Sequence, residues 1–230
     1  MPATTPKSAF WTGLQDGLPF LLVLLPFGIL FGVTASEAGL KLTETMMFTI
    51  VVIAGASQFS ALQLMSDHAP TLIVLATALA VNLRMAMYSA SLTPYLGQAS
   101  LWQRALISYF LVDATYACAI GRFEANPGWT LPARLGYFAG TVVIICPAWY
   151  ALTLIGALIG SAIPGWLALD FAVPICFLAM IGPMLRTVAH LAAALTSVTL
   201  ALAFIPYNMG LLIAALAAMM VGAYVETRTA

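Results

Sequence analysis

Apolar stretches of about one membrane thickness follow one another along nearly the whole chain, and polar residues collect at short joints between them. A helix needs about 20 residues to cross the hydrocarbon of a bilayer. On that measure the pattern predicts spans at 18–36, 45–65, 70–92, 103–121, 135–160, 165–185, 188–205 and 207–225. The last two are short and divided only by Pro206-Tyr207-Asn208, so eight spans are expected, with seven as the alternative. The expected fold is an all-α, polytopic transmembrane helical bundle forming a single domain over residues 1–230. Residues 1–16 read as a short polar tail carrying Lys7 and Asp16. Because so many apolar runs follow the first, that run reads as a retained helix and not as a cleaved leader.

Punctuation between the spans supports the division. Asp67-His68-Ala69-Pro70 reads as a tight turn, and Asn126-Pro127-Gly128 breaks the longest loop. Trp11, Trp102, Trp129 and Trp166 fall near predicted span ends, where an amphipathic ring prefers the headgroup zone. With the N-terminus in the cytoplasm, Lys7, Arg122, Arg134, Arg186 and Arg228 are cytoplasmic, against Lys41 and Arg104 outside, so both termini are expected inside. Pro26, Pro147, Pro174 and Pro183 are each positioned to kink or interrupt a helix. Segments around Pro26 and Pro147, and around Ser57-Gln58-Phe59 and Asp170-Phe171-Ala172, echo one another, as in transporters built from duplicated halves.

Composition removes other classes. Hydrophobic residues make up 63% of the chain and charged residues 7%, where a soluble domain carries roughly 25% charged. The mean hydropathy of +1.02 leaves too much apolar surface for a water-soluble shell to cover. Eight basic and eight acidic residues cancel, so there is no basic field to hold nucleic acid. Cys118, Cys146 and Cys176 lie in apolar segments without metal-type spacing and read as packing residues. No nucleophile–base set and no phosphate-cradling glycine loop is present, so neither an enzyme nor a resident cofactor or metal is expected.

The chemistry gathers in three predicted spans. An arginine at mid-helix costs roughly 2.5–3.5 kcal/mol on insertion scales, so Arg84 needs a polar cavity or a partner. Thr77, Arg84, Tyr88 and Ser91 share one helical stripe suited to a carboxylate ligand. Two readings of Arg84 stand: direct ligand contact, or an ion pair with Asp113 in the next span. Asn82 lies roughly 200° from Arg84 on an ideal helix, so both reach one site only if the backbone loosens. Gly55-Ala56-Ser57-Gln58-Phe59-Ser60 is either a packing seam or an unwound stretch whose free backbone groups bind the charged ends of an amino acid. Asp16 and Asp170 read as helix-start residues, and Asp113 as the deepest acid and a candidate proton carrier.

Taken in order, these segments resemble the AzlC-type family of branched-chain amino acid exporters, including the BrnF-like large subunits. The resemblance runs from about Gly13 to Gly222. It rests on Gly17-Leu18-Pro19 through Gly32, on Gly55 to Phe59, on Asn82 to Leu92, on Asp113-Ala114-Thr115-Tyr116 and on Asp170-Phe171-Ala172. Two positions depart from the family pattern: Met85 stands where a histidine often follows Asn-Leu-Arg, and Ala114 where a second acid often follows Asp113. The resemblance implies export of valine, leucine and isoleucine, with methionine as a further candidate, from a bacterial inner membrane. It implies the proton-motive force as energy source and a small AzlD-type membrane subunit as partner. On this reading Ser57, Gln58, Phe59, Asn82, Arg84 and Tyr88 form or brace the substrate site, and Asp113 pairs with Arg84 or carries the coupling proton. The alternative is a membrane scaffold or assembly subunit that does not transport.

Overall fold

The computed structural model describes residues 5–160, 187–202 and 209–229, and their regular structure is helical throughout. Two compact units are present, one made of Met1–Asp67 with Val74–Ala168, the other of His68–Ile73 with Leu169–Ala230. In the first unit, α1 (Pro6–Gly17) and α2 (Leu21–Glu37) are joined through a 3-10 turn at Leu18–Phe20. Together they form one apolar segment of 32 residues. Thr5 starts it by accepting the Ser8 amide at 3.2 Å, with Pro6 in the first turn, where a missing N–H costs nothing. The expected polar tail is therefore helical from Pro6 onward. Ala9, Gly13 and Gly17, spaced by four, bury a stripe that average hydropathy does not register.

That stripe packs on α8 (Leu131–Gly160). Gly136 lies against Pro6, Gly140 against Phe10, Gly17 against Ile144, Gly28 against Leu152, Gly156 against Ile29, and Gly160 against Val33. Numbers rise together along both partners, so the two long segments run parallel and in register, with backbone meeting backbone at several glycines. This packing agrees with the echo between the first and fifth predicted spans. The counterpart around Asp170-Phe171-Ala172, with Trp166, Cys176, Pro174, Pro183 and Arg186, lies outside the described residues.

Between these segments come α3 (Leu42–Val51), α4 (Gly55–Ser66), α5 (Thr71–Leu96), α6 (Leu101–Tyr109) and α7 (Asp113–Ala125). In the second unit α9 (Val188–Leu202) packs on α10 (Met209–Thr229). Among the described residues, three segments are long and apolar enough to cross a membrane: Pro6–Glu37, Thr71–Leu96 and Leu131–Gly160. That count falls short of the eight spans expected. The physical reason is plain in two cases, because the spans expected at 45–65 and 103–121 are each divided into two short helices. A hydropathy average runs smoothly across such a break. The protein is an all-α membrane protein with several apolar helices.

Neither break among the described residues falls at a proline. Pro26 and Pro147 sit inside α2 and α8 without interrupting them, as does Pro94 in α5. The chain instead opens at Val52–Ala54, within the β-branched run Ile50-Val51-Val52-Ile53, and at Phe110–Val112. At the first break the Ala54 amide closes a tight turn on the Val52 carbonyl at 2.9 Å. The Ile50 carbonyl accepts the hydroxyl of Tyr109 from α6. At the second, buried Thr115 accepts the Val112 amide and donates to the Phe110 carbonyl, both at 2.9 Å. Broken helices in apolar surroundings persist only where protein satisfies the freed groups in this way. Ile53, Phe110 and Val112 all pack on the cluster of Ala114, Ile145 and Cys146, which brings both breaks to the middle of α8.

Candidate functional site

α5 places Arg84 near the midpoint of its 26 residues, facing the second break. The Arg84 guanidinium lies 3.1 Å from the Asp113 carboxylate, and the Tyr88 hydroxyl donates to that carboxylate at 3.0 Å. Asp113 is the first residue of α7, where the positive end of the helix dipole favours a negative charge. Tyr88 stacks on Tyr116 with ring centroids 4.1 Å apart, and the Tyr116 hydroxyl donates to Ser91 at 3.1 Å. Arg84, Tyr88 and Ser91, one turn apart on α5, thus meet Asp113 and Tyr116, three apart on α7. Side-chain exposures of 28% for Arg84 and 49% for Asp113 show that neither charge is sealed in the core. Charges exposed to that extent at mid-span require a hydrated or protein-lined space, not lipid tails.

The other residues singled out from sequence are placed elsewhere. Ser57 is fully buried and donates to the Ala78 carbonyl at 3.0 Å, tying α4 to α5. Gln58 is also fully buried, and neither of its amide atoms has a partner among the described residues. It stands in the first turn of α4, a helix that begins at Gly55 without a side-chain cap. Phe59 packs edge-on against Phe27 and Phe31 at 5.0 and 5.4 Å, beside the Trp149 ring that stacks on Phe31. α5 is continuous, so Asn82 and Arg84 face different sides of it and the loosening that would unite them does not occur. The Asn82 carbonyl oxygen and the Arg84 Nε are buried without partners. No hydrogen bond or ion pair links Ser57, Gln58 or Asn82 to Arg84, Tyr88 or Asp113 among the described residues.

A second charged cluster went unread in the sequence. Asp16 is the penultimate residue of α1, not a helix-start residue, and its Oδ2 accepts Arg122 Nε at 3.0 Å and Nη2 at 2.6 Å. The hydroxyl of Tyr137, which is 1% exposed, donates to the same oxygen at 2.6 Å. Arg122, expected in a cytoplasmic loop, is therefore spent holding α1 and α7 to α8. Nothing local connects positions 16, 122 and 137; the one usable hint was an acid inside a glycine stripe. Asp16→Ala is expected to lower stability by on the order of 2 kcal/mol, since it leaves Arg122 and Tyr137 unpaired. Thermal unfolding of the detergent-solubilised protein, followed by tryptophan fluorescence, checks this; an unchanged midpoint contradicts it. Cys118 and Cys146 are buried free thiols, as packing residues should be. Among the described residues, no group of three or more His, Cys, Asp or Glu is placed to hold a metal.

Comparison with known proteins agrees with this architecture. The AzlC protein family matches residues 19–163, which include both breaks, Arg84 and Asp113. A membrane protein of Archaeoglobus fulgidus is 29% identical over 224 residues, covering 94% of this chain and 95% of its own length. The inner membrane protein YgaZ of Escherichia coli strain K12 is 28% identical over 213 residues, covering 86% and 85%. A membrane protein of Helicobacter pylori is 24% identical over 153 residues, covering 66% and 65%. No solved structure matches the chain. The family match spans more than half of the sequence and holds the residues that build the charged site, so the chain belongs to the AzlC family, a membership that supports a general role in transport.

Proposed function

We propose that this protein is a secondary exporter of branched-chain amino acids, working in a bacterial inner membrane together with a small AzlD-type subunit and driven by the proton-motive force. The observation that carries the reading is the Arg84–Asp113–Tyr88 constellation, set at mid-helix beside an interrupted span, with both charges partly exposed. A zwitterionic amino acid complements it. The planar fork of Arg84 suits the carboxylate, Asp113 suits the ammonium, and the substrate enters by parting the resting ion pair. A proton on Asp113 removes the counter-charge of the ammonium. Proton and substrate then exclude one another, which is the logic of antiport and the direction an exporter needs. Apolar side chains around the breaks, Ile53 and Val112 among them, suit a valine, leucine or isoleucine side chain.

The topology that goes with this reading has eight spans, with both termini in the cytoplasm. Parallel packing of α1–α2 with α8 requires an odd number of crossings between them. α5 supplies one, so α3–α4 and α6–α7 must behave alike, and we assign each of them a full crossing. The test is counterflow of labelled leucine into liposomes holding the protein with its partner, at imposed pH gradients. Uptake against preloaded leucine, with accumulation set by the pH gradient, is the expected result. Leucine binding without any flux would instead identify a scaffold subunit.

A further inference from the structure

At the C-terminal end of α5 a cleft of about 60 Å³ opens between α5 and α6. That exceeds the roughly 10–15 Å³ one water requires. Ser89, Thr93, Gly97, Arg104, Ser108 and Leu111 line it. Its outer end, at Gly97 and Arg104, adjoins the α5–α6 turn. Its inner end is at Ser89, next to Tyr88 in sequence and about 100° round the helix from it, and at Leu111, which lies in the break two residues before Asp113. Along α5 the distance from Gly97 to Ser89 is about 12 Å at 1.5 Å per residue. Three hydroxyls share the lining with Leu92, Leu96, Ile107 and Leu111. Arg104 differs from the other described arginines: Arg84 and Arg122 pair with acids, Arg134 binds the Tyr95 and Pro127 carbonyls, and Arg228 lies over the Tyr224 ring. The Arg104 guanidinium makes no ion pair or hydrogen bond among the described residues.

We infer that the α5–α6 cleft is a hydrated approach to the Arg84–Asp113 pair, and that Arg104 at its mouth binds small carboxylates on their way to or from that pair. The inference deepens the transport reading and rests on it for the identity of the carboxylate. Physically, a free cation at the rim of an open cleft raises the local concentration of anions there. Ser89 and Ser108 then offer hydroxyl donors along the way to Arg84, which takes the same carboxylate one step further in, while Thr93 spends its proton on the Ser89 carbonyl at 2.8 Å.

Cysteine accessibility in the full-length protein, in membranes with its partner, tests this. Gln98→Cys, in the turn, identifies which membrane face the turn occupies. Ser108→Cys, and Thr93→Cys should the first be poorly expressed, then report on the cleft, with the unsubstituted protein correcting for the native thiols. The expected result is reaction with membrane-impermeant methanethiosulfonates added on the face that labels Gln98→Cys. The negatively charged ethylsulfonate reagent should be favoured over the trimethylammonium one, and Arg104→Gln should lower that preference about four-fold, as expected for one unit charge about 10 Å away in water. Labelling by membrane-soluble N-ethylmaleimide alone would make the cleft lipid-facing and overturn the inference. An unchanged reagent preference in Arg104→Gln would overturn the role of Arg104. Labelling requires no flux, so its failure leaves the leucine counterflow test intact, and a failed counterflow test leaves a labelled cleft in place.

Discussion

Arg84→Ala is expected to abolish the proposed amino acid export while the protein still inserts and assembles with the proposed small subunit. The substitution removes the one guanidinium facing Asp113 at mid-span, and with it the paired charge–charge hydrogen bonds available to a substrate carboxylate. A hydrogen bond to a charged group is worth roughly 1.5–3 kcal/mol, so losing a two-pronged contact weakens binding on the order of 100-fold or more. The vacated Asp113 carboxylate is already half exposed and still accepts the Tyr88 hydroxyl, so folding should survive better than transport. Arg84→Lys keeps the charge but loses the fork and should fall between the two. The conjugate substitution tests the same site from the acidic side. Asp113→Asn mimics the protonated carboxyl, which leaves the substrate ammonium without a counter-charge, so leucine exchange and accumulation driven by a pH gradient should both be lost, whereas Asp113→Glu should retain both in part. Flux in liposomes, normalised to assembled complex, measures all four. Normal export by well-folded Arg84→Ala would remove this arginine from the mechanism.

The second large effect concerns the frame that holds the site. A Cβ added at Gly156 would fall on the Ile29 carbonyl, and one added at Gly32 on the Thr153 carbonyl. Both obstacles are backbone atoms of long, continuous helices, so no side chain can turn aside to make room. Gly156→Leu should force α2 and α8 apart along the line where they run in register. Overpacking in a tight interior costs roughly 1–3 kcal/mol, and more where backbone is the neighbour. Because α8 also carries Tyr137, Trp149 and the cluster on which both breaks rest, the loss should be cooperative. Size-exclusion chromatography of the solubilised protein should show aggregate in place of a symmetric peak. Gly121→Leu is the control, since a Cβ there meets nothing within 4 Å. A monodisperse Gly156→Leu protein would mean that the parallel seam is looser than the structure shows.

Much of the charged site was legible because its members announce themselves one residue at a time. An arginine in an apolar run must be sheltered, and the four- and three-residue steps from Arg84 to Tyr88 and Ser91 put them on one face before any fold is known. Asp113, the deepest acid, was the obvious partner. The interrupted helices were only partly legible. The suspicion attached to Gly55-Ala56-Ser57 was close to the actual break at Val52–Ala54, whereas Pro26 and Pro147 interrupt no helix. A helix can absorb a proline by losing one hydrogen bond, but an opening needs a partner for every freed group. Those partners, the Tyr109 hydroxyl and Thr115, lie in the second broken helix or beyond its break. Thr115 sits inside a motif already singled out, yet its work depends on where the helix stops.

Composition and apolar periodicity by themselves determined the solvent, the helical class and the short list of polar residues that need an explanation. Those properties are sums over neighbouring residues, and the bilayer imposes them on every segment alike. Tertiary structure alone decided which helices stay whole, that α1–α2 and α8 run parallel through their glycines, and that Asp16 belongs to Arg122 and Tyr137 across more than a hundred residues. It also gave Ser57 the Ala78 carbonyl as its partner and turned Asn82 to a different side of α5 from Arg84. Such pairings follow from contacts between distant positions, where burial must be matched donor to acceptor, and no local pattern along the chain records which partner will be found.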